Sequence, residues 1–168
     1  MTASEFYTTI LIPAAQFAAD INPALDTPPA RLQMLATAGY ESRWEYRAQF
    51  GGGPALGYWM DQQNAVQLLL DHPAAGPLLR RAAEALGIAP HAAAIHAASE
   101  NTDAIAYLIA RLLAWCDPHP VPAIGDEEGC WHAYLRAQNP GAVSRERWAE
   151  VYPQAAACFQ PEPAASGA

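Results

Sequence analysis

One stretch, from Asn101 to Cys116, constrains the fold more than any other, because its apolar residues recur every three or four positions. They fall on one face of an α-helix, and they are Ile105, Leu108, Ile109, Leu112, Leu113 and Cys116. Asn101 suits the N-cap of this helix, and Asp103 suits the positive end of its dipole. No segment of the chain alternates polar and apolar residues convincingly with the period of a strand. The sequence therefore predicts an all-α fold.

Further helices are predicted wherever apolar spacing is helical and a cap or a proline marks the boundary. Alanine is abundant and β-branched residues are sparse, which favours helices because alanine loses no side-chain entropy on forming one. The predicted helices cover residues 30–49, 61–70, 77–86, 90–99, 101–115, 126–138 and 144–156. Residues 1–159 are expected to form a single domain, since 168 residues suit one core. Residues 160–168, rich in Pro, Ala, Gly and Ser, are predicted to be a flexible tail.

The charge of the chain excludes several classes of partner. The net charge is −8, and all nine basic residues are arginines. No nucleic-acid partner is expected, because phosphate neutralisation by basic residues supplies most of that affinity. The same charge disfavours tight binding to anionic cell-wall polymers. No signal peptide and no membrane-spanning stretch is evident. Cys116, Cys130 and Cys158 are odd in number and widely spaced, which predicts free thiols.

The segment most suggestive of chemistry places Glu41 late in an apolar helix, between Tyr40 and Trp44. A glycine-rich turn, Gly51-Gly52-Gly53-Pro54, follows it. Apolar walls raise the pKa of a carboxyl, which lets it hold a proton near neutral pH. Such a group can protonate the leaving oxygen of a glycosidic bond. The alternative is that Glu41 is an ordinary solvated residue at the surface of a helix.

An ordered series of motifs resembles the goose-type lysozyme and lytic transglycosylase family, and within it the phage-encoded, virion-associated members. The series consists of Glu41-Ser42 with Trp44, Gly52-Gly53-Pro54-Ala55-Leu56-Gly57-Tyr58-Trp59, His72-Pro73, Ala110-Arg111-Leu112-Leu113, Trp131, Tyr134, Asn139-Pro140-Gly141 and Trp148. Gly57 follows Glu41 by sixteen residues, as the family turn does. The resemblance covers roughly residues 32–152.

The resemblance implies an all-α lysozyme-like fold, with room for a minimal β excursion after the helix that bears Glu41. It implies that Glu41 acts as general acid and then base on the β-1,4 bond between N-acetylmuramic acid and N-acetylglucosamine in peptidoglycan. We predict that Ser42, Gly57, Tyr58, Trp59 and Asp61 bind the substrate. Other virion proteins are further candidate partners, and the expected location is the virion, acting in the bacterial periplasm and cell wall.

No metal and no cofactor is expected. His91, His96 and Glu100 lie at i, i+5 and i+9, which do not share one face of a helix as a zinc motif requires. The family turn ends in glutamine, whereas this chain has Met60 there. That departure leaves open a catalytically inactive, structural or assembly protein of the virion. A helical binding module unrelated to sugars is a third alternative. The sequence does not distinguish a hydrolase, with Asp61 as second carboxylate, from a lytic transglycosylase with one Glu.

Overall fold

A computed structural model describes residues 1–160 and confirms the all-α fold. The α-helices are α1 (Ala3–Phe6), α2 (Ile12–Ile21), α3 (Pro28–Ser42), α4 (Gln63–Asp71), α5 (Ala75–Ala85), α6 (Ala92–Ser99), α7 (Asp103–Trp115), α8 (Glu127–Gln138) and α9 (Arg145–Ala157). The predicted single domain over 1–159 stays a prediction. The predicted tail lies outside the described residues, except for Gln160.

Two buried helices, α3 and α7, lie at the centre of the molecule. Helix α7 packs against α2, α6 and α8, and α3 packs against α9. Of the apolar stripe predicted on α7, Ile105, Leu108, Ile109 and Leu112 are buried, whereas Leu113 and Cys116 are half-buried. The N-cap of α7 is Thr102 and not the predicted Asn101. Most residues of α3 are buried on every side. Small residues allow this, because alanine and glycine let neighbouring backbones approach closely. The helix that carries Glu41 is therefore packed on every side along most of its length.

The N-terminal helices were not predicted. Helices α1 and α2 are joined through a π-helical turn, Tyr7–Leu11. Pro13 and Gln16 interrupt the apolar pattern of this segment, so the sequence alone did not indicate a helix. Pro13 lies just after the π-helical turn, at the start of α2.

Helix α3 is shorter than predicted, ending at Ser42 instead of Gln49. Arg43 and Trp44 both take left-handed backbone conformations, each with φ of 56°, and a right-handed helix cannot continue through them. Single antiparallel bridges then join Ala48 to Leu56 and Leu56 to Asp61. We name residues 47–61 the bridged turn; it is the small β excursion that the sequence left room for.

Two contacts hold the bridged turn against the helices behind it. Arg47 forms an ion pair with Asp103 at the start of α7, and its guanidinium lies 4.3 Å from the centre of the Tyr58 ring. Gly57 has φ of +73°, and a Cβ there would lie 2.9 Å from both the Ala106 Cβ and the Ser99 carbonyl oxygen. Only glycine fits this position, because any side chain would be both strained and blocked.

Within residues 1–160, none of the helices combines the length and the hydrophobicity needed to cross a bilayer. Cys116, Cys130 and Cys158 are free thiols, as the sequence predicted.

Candidate active site

A cavity of about 750 Å³ opens where α3 ends, between the bridged turn and the loop that joins α8 to α9. Glu41 lies in its wall, at the C-terminal end of α3. The other lining residues are Tyr40, Arg43, Tyr46, Ala48, Gln49, Phe50, Ala55, Met60, Gln62, Tyr134, Gln138, Asn139, Pro140, Gly141, Ala142 and Arg147. This volume is typical of small-molecule and oligomer sites.

Glu41 is half-buried, and its carboxylate accepts a hydrogen bond of 2.6 Å from the Tyr134 hydroxyl. Burial raises the pKa of Glu41 above its usual range, while the Tyr134 hydrogen bond and the nearby Arg147 guanidinium lower it in part. The net direction is upward. Glu41 thus combines access to the cavity with surroundings that, on balance, favour its protonated form.

The apolar wall behind Glu41 consists of aromatic rings from α3, α8 and α9. The Tyr40 and Tyr134 ring centres are 4.9 Å apart, and Tyr134 stacks on Trp148 at 5.3 Å. Trp131 packs against the same rings. The sequence suggested Tyr40 and Trp44 as the flanking walls. Trp44 is instead buried beside α3, donating a hydrogen bond to the Leu35 carbonyl oxygen.

Asp61 is a second carboxyl close to the site, but it is almost completely buried, at 2% exposure, and does not line the cavity. Neither of its oxygens accepts a hydrogen bond from any group of residues 1–160. Burial raises its pKa well above the usual range, the Glu41 carboxylate raises it further, and the neighbouring Gln138 amide lowers it in part. Asp61 is therefore a buried carboxyl close to the site, in surroundings that favour its protonated form.

The burial of Asp61 makes the stability of the protein depend on pH. Because the pKa is raised in the folded state, the fold is not penalised below the pKa of the unfolded chain. As pH rises above that value, the unfolded chain loses the proton first, and folding is progressively destabilised until the folded pKa is passed. We expect Asp61→Asn to increase the free energy of unfolding at pH 7 and to leave it nearly unchanged at pH 3.

Chemical denaturation at several pH values measures this difference. Asp20→Asn, which makes the same substitution at an exposed carboxylate on α2, serves as a control for the change of side chain at a solvated site. If Asp61→Asn increases stability as much at pH 3 as at pH 7, the gain comes from packing and not from the titration of Asp61.

Not all of the predicted substrate-binding residues lie in the cavity. The Ser42 hydroxyl is buried and donates to the Ala38 carbonyl oxygen. Trp59 is fully buried, and its indole N–H donates to the Met34 carbonyl oxygen at 2.9 Å. Tyr58 is 4% exposed and packs edge-on against Phe6. The structure thus places Ser42, Tyr58 and Trp59 in the core, where their side chains support the bridged turn.

Gly57 likewise packs against the helices behind the turn, and of the residues predicted to bind substrate or act on it, only Glu41 lines the cavity. The physical reason is that the bridged turn faces two ways. Its Gly57-Tyr58-Trp59 segment points into the core, whereas Ala55 and Met60 face the cavity.

The exposed aromatic residues at the cavity were missed by the sequence analysis. Phe50 is 98% exposed at the start of the glycine-rich loop, and Tyr46 is 50% exposed. Both line the cavity. A fully exposed phenylalanine gains nothing by burial within its own chain, so its position at the mouth favours contact with a ligand. The signal available in the sequence was an aromatic residue directly preceding three glycines.

Residues in left-handed backbone conformations cluster at this cavity. Among residues 1–160, the non-glycine residues with positive φ are Arg43, Trp44, Met60 and Asn139. Arg43, Met60 and Asn139 line the cavity, and Trp44 follows Arg43 directly. Arg43 and Asn139 are the C-caps of α3 and α8, where a left-handed residue ordinarily ends a helix. The cavity therefore lies where the C-terminal ends of these two helices meet the bridged turn.

No group of three or more His, Cys, Asp or Glu side chains is arranged to bind a metal ion within the part of the chain that the structure describes. His91 caps α6, and the His96 ring contacts the Asp61 carbonyl oxygen at 3.1 Å.

A comparison of this chain with protein families, characterised proteins and solved structures finds no match.

Proposed function

We propose that this protein is a peptidoglycan-cleaving glycosidase, with Glu41 as its general acid. The observation that carries the proposal is a half-buried carboxyl of raised pKa, set in the wall of a cavity whose mouth exposes aromatic rings. Aromatic faces pack on sugar rings, and polar amides from Gln62, Gln138 and Asn139 are available for sugar hydroxyl and acetamido groups. The motif resemblance supplies the choice of peptidoglycan, and also the proposal that the protein is phage-encoded and carried in the virion, where it aids local opening of the cell wall.

In this mechanism Glu41 transfers its proton to the glycosidic oxygen of the leaving sugar as the C1–O bond breaks and the ring becomes oxocarbenium-like. The Tyr134 hydroxyl, which donates to Glu41, stabilises the carboxylate that results. The nearby Arg147 guanidinium acts in the same direction. The site therefore balances a raised pKa before proton transfer against stabilisation of the charge after it.

The position of Asp61 favours a lytic transglycosylase over a hydrolase with two carboxylates. Asp61 is buried and does not line the cavity, so it is poorly placed to attack C1 or to activate a water beside the sugar. With one accessible carboxylate, the 6-hydroxyl of the muramic acid attacks its own C1, and Glu41 takes up the hydroxyl proton. The products are a 1,6-anhydromuramic end and a free hydroxyl on the leaving sugar, which balances the reaction without water.

One observation favours the second candidate, an inactive lysozyme-like structural or assembly protein of the virion. Met60 lines the cavity at the position where the family turn ends in glutamine. A thioether cannot donate a hydrogen bond to a sugar amide, so one expected substrate contact is missing.

The direct test is digestion of purified peptidoglycan by the wild-type protein, followed by mass analysis of the soluble fragments. The proposal expects release of fragments that end in anhydromuramic acid. Reducing muramic ends would retain the glycosidase and exclude the transglycosylase. If the folded protein releases no soluble fragments from peptidoglycan that a control lysozyme does digest, the result would support the structural candidate.

Removing the Tyr134 hydroxyl tests whether its hydrogen bond sets the pKa of Glu41. The hydrogen bond lowers the pKa of Glu41, so we expect Tyr134→Phe to raise that pKa further. The alkaline limb of the profile of kcat/KM against pH should then move to higher pH, because Glu41 keeps its proton longer.

The matched control is Tyr7→Phe, which removes a phenolic hydroxyl on the π-helical turn outside the cavity. An alkaline limb that stays in place in Tyr134→Phe, or that moves equally in Tyr7→Phe, would contradict a role for this hydrogen bond in setting the pKa.

A further inference from the structure

Two buried polar groups beside the cavity have no hydrogen-bond partner among residues 1–160, and they are complementary. The two carboxyl oxygens of Asp61, a residue only 2% exposed, accept no hydrogen bond, and the amide nitrogen of Gln138, Nε2, donates none. A buried polar group that stays unpaired has lost its hydration without compensation. A hydrogen bond between the amide and the carboxyl would satisfy both groups at once.

Asp61 and Gln138 are neighbours in space. Met60 and Gln62, on either side of Asp61 in the chain, line the same cavity as Gln138. The Gln138 amide is also close enough to Asp61 to lower the pKa of its carboxyl. A carboxyl oxygen accepts a hydrogen bond from an amide N–H whether the acid is protonated or ionised. Pairing therefore requires no change in the charge of Asp61.

Of the two residues, Asp61 is the one whose position is fixed. Its backbone N–H and C=O groups both form hydrogen bonds with Leu56, each of 3.1 Å, and its carbonyl oxygen also contacts the His96 ring. Gln138 is the last residue of α8, and the chain leaves the helix at Asn139 in a left-handed conformation. A long glutamine side chain at such an end loses rotamer freedom when it is ordered, so a partner must hold it. Asp61 is therefore suited to fix Gln138.

We propose that Asp61 is a positioning residue, which accepts a hydrogen bond from the Gln138 Nε2 and so keeps the Gln138 carbonyl oxygen turned toward the cavity. Because the nitrogen is the buried side of this amide, the oxygen is the polar atom left to accept a hydrogen bond from a ligand. Glu41 is also close to Asp61, since its carboxylate raises the pKa of Asp61. The acceptor thus lies near the proposed general acid. This inference rests on the proposed function and gives a use to a buried carboxyl that its mechanism leaves out.

The pairing is tested by NMR, without any ligand. The Gln138 side-chain NH2 signals are identified by their loss in Gln138→Ala. We expect them to exchange with solvent slowly, because the nitrogen is buried and hydrogen-bonded, whereas the exposed Gln67 amide should exchange fast. In Asp61→Leu, which keeps the branching of the side chain and removes both acceptors, exchange at Gln138 should accelerate toward that of Gln67. Asp61→Asn retains an acceptor oxygen and should preserve the slow exchange.

Asp71→Leu is the matched control for this measurement. The Asp71 carboxylate accepts hydrogen bonds of 3.0 and 3.1 Å from the Gln67 amide at an exposed site on α4, away from the cavity. The same substitution there should leave the Gln138 signals unchanged. Asp61→Ala removes the same oxygens as Asp61→Leu with a smaller side chain, and serves as a second variant in case leucine prevents folding. Slow exchange at Gln138 that persists in the folded variant without the Asp61 oxygens would overturn the inference.

Binding tests whether the positioned oxygen contacts a ligand. The probe is a soluble oligomer of N-acetylglucosamine, and calorimetry in the Glu41→Gln background avoids cleavage. Gln138→Ala and Asp61→Leu should each weaken binding by about two- to tenfold, the contribution of one neutral hydrogen bond. Once Gln138 is replaced by alanine, Asp61→Leu should have no further effect, because Asp61 acts through that side chain. Equal affinities with and without the Gln138 amide, or additive losses in the double variant, would overturn the inference.

Cleavage of peptidoglycan by the wild type is read separately, so the two proposals can fail independently. If cleavage is intact and exchange at Gln138 is insensitive to Asp61, only the positioning of Gln138 by Asp61 is removed. If exchange at Gln138 depends on Asp61 and the wild type cleaves nothing, the pairing of the two side chains is retained and the glycosidase is removed.

Discussion

Glu41→Gln should lower the rate of peptidoglycan cleavage by at least about 100-fold, because proton transfer by a positioned side chain contributes about 10²–10⁴ in rate. Glutamine has nearly the same shape as glutamate and accepts a hydrogen bond through its amide oxygen, so the contact with Tyr134 is preserved. The variant loses the transferable proton without losing the wall of the cavity. Release of soluble fragments measures the rate, and circular dichroism confirms the fold.

Glu45→Gln is the matched control for this experiment. Glu45 lies four residues beyond Glu41, is exposed and does not line the cavity, so Glu45→Gln makes the same substitution outside the site. We expect its rate of cleavage to remain close to that of the wild type. Equal rates in the wild type and Glu41→Gln would remove Glu41 from the mechanism, whatever the activity of the protein.

Trp59→Ala should destabilise the protein by about 3–5 kcal/mol, the range for removing a large buried aromatic side chain. Trp59 is fully buried and packs edge-on against Phe6 and Tyr107. Its indole N–H donates to the Met34 carbonyl oxygen, which joins the bridged turn to α3. Since domains of this size are stable by about 5–15 kcal/mol, the loss is a large part of the total. Urea denaturation measures it.

Two further variants separate the packing of Trp59 from its hydrogen bond and from surface effects. Trp59→Phe keeps most of the apolar area and loses the N–H donor, so we expect a smaller loss of about 1–3 kcal/mol. Leu68→Ala, at a residue 69% exposed on α4, should change stability by less than about 0.5 kcal/mol. A stable Trp59→Ala with weakened binding of glycan would restore the original prediction that Trp59 contacts substrate.

The sequence predicted those parts of the fold that local rules determine. Helical spacing of apolar residues indicated α7, and the helices predicted over 126–138 and 144–156 match α8 and α9, whose N-caps are Asp126 and Ser144. Local signals also identified free cysteines and a break in helical structure before the glycine-rich turn. Such features depend on a few neighbouring residues, so they can be deduced without knowing the rest of the chain.

The end of α3 shows where local rules fail. Residues 43–49 contain no strong helix breaker, so the sequence predicts a helix that continues to the glycines. In the structure the chain leaves the helix at Arg43, in a left-handed conformation that costs free energy locally. Burial of Trp44 beside α3 and the ion pair of Arg47 with Asp103 offset that cost. The ion pair joins residues 56 positions apart in the sequence, so no local rule predicts it.

The candidate site likewise has one part that the sequence predicted and another that only the tertiary structure shows. The sequence by itself singled out Glu41 and the glycine-aromatic turn, because residue types and spacing along the chain are visible in it. Only the tertiary structure decided that the turn presents Met60 to the cavity and buries Trp59, since a two-sided turn is oriented by what packs behind it. Only the structure brought Tyr134 and Arg147 to Glu41 across about a hundred residues of sequence. Such contacts carry no local signal, because they depend on how α3, α8 and α9 pack together.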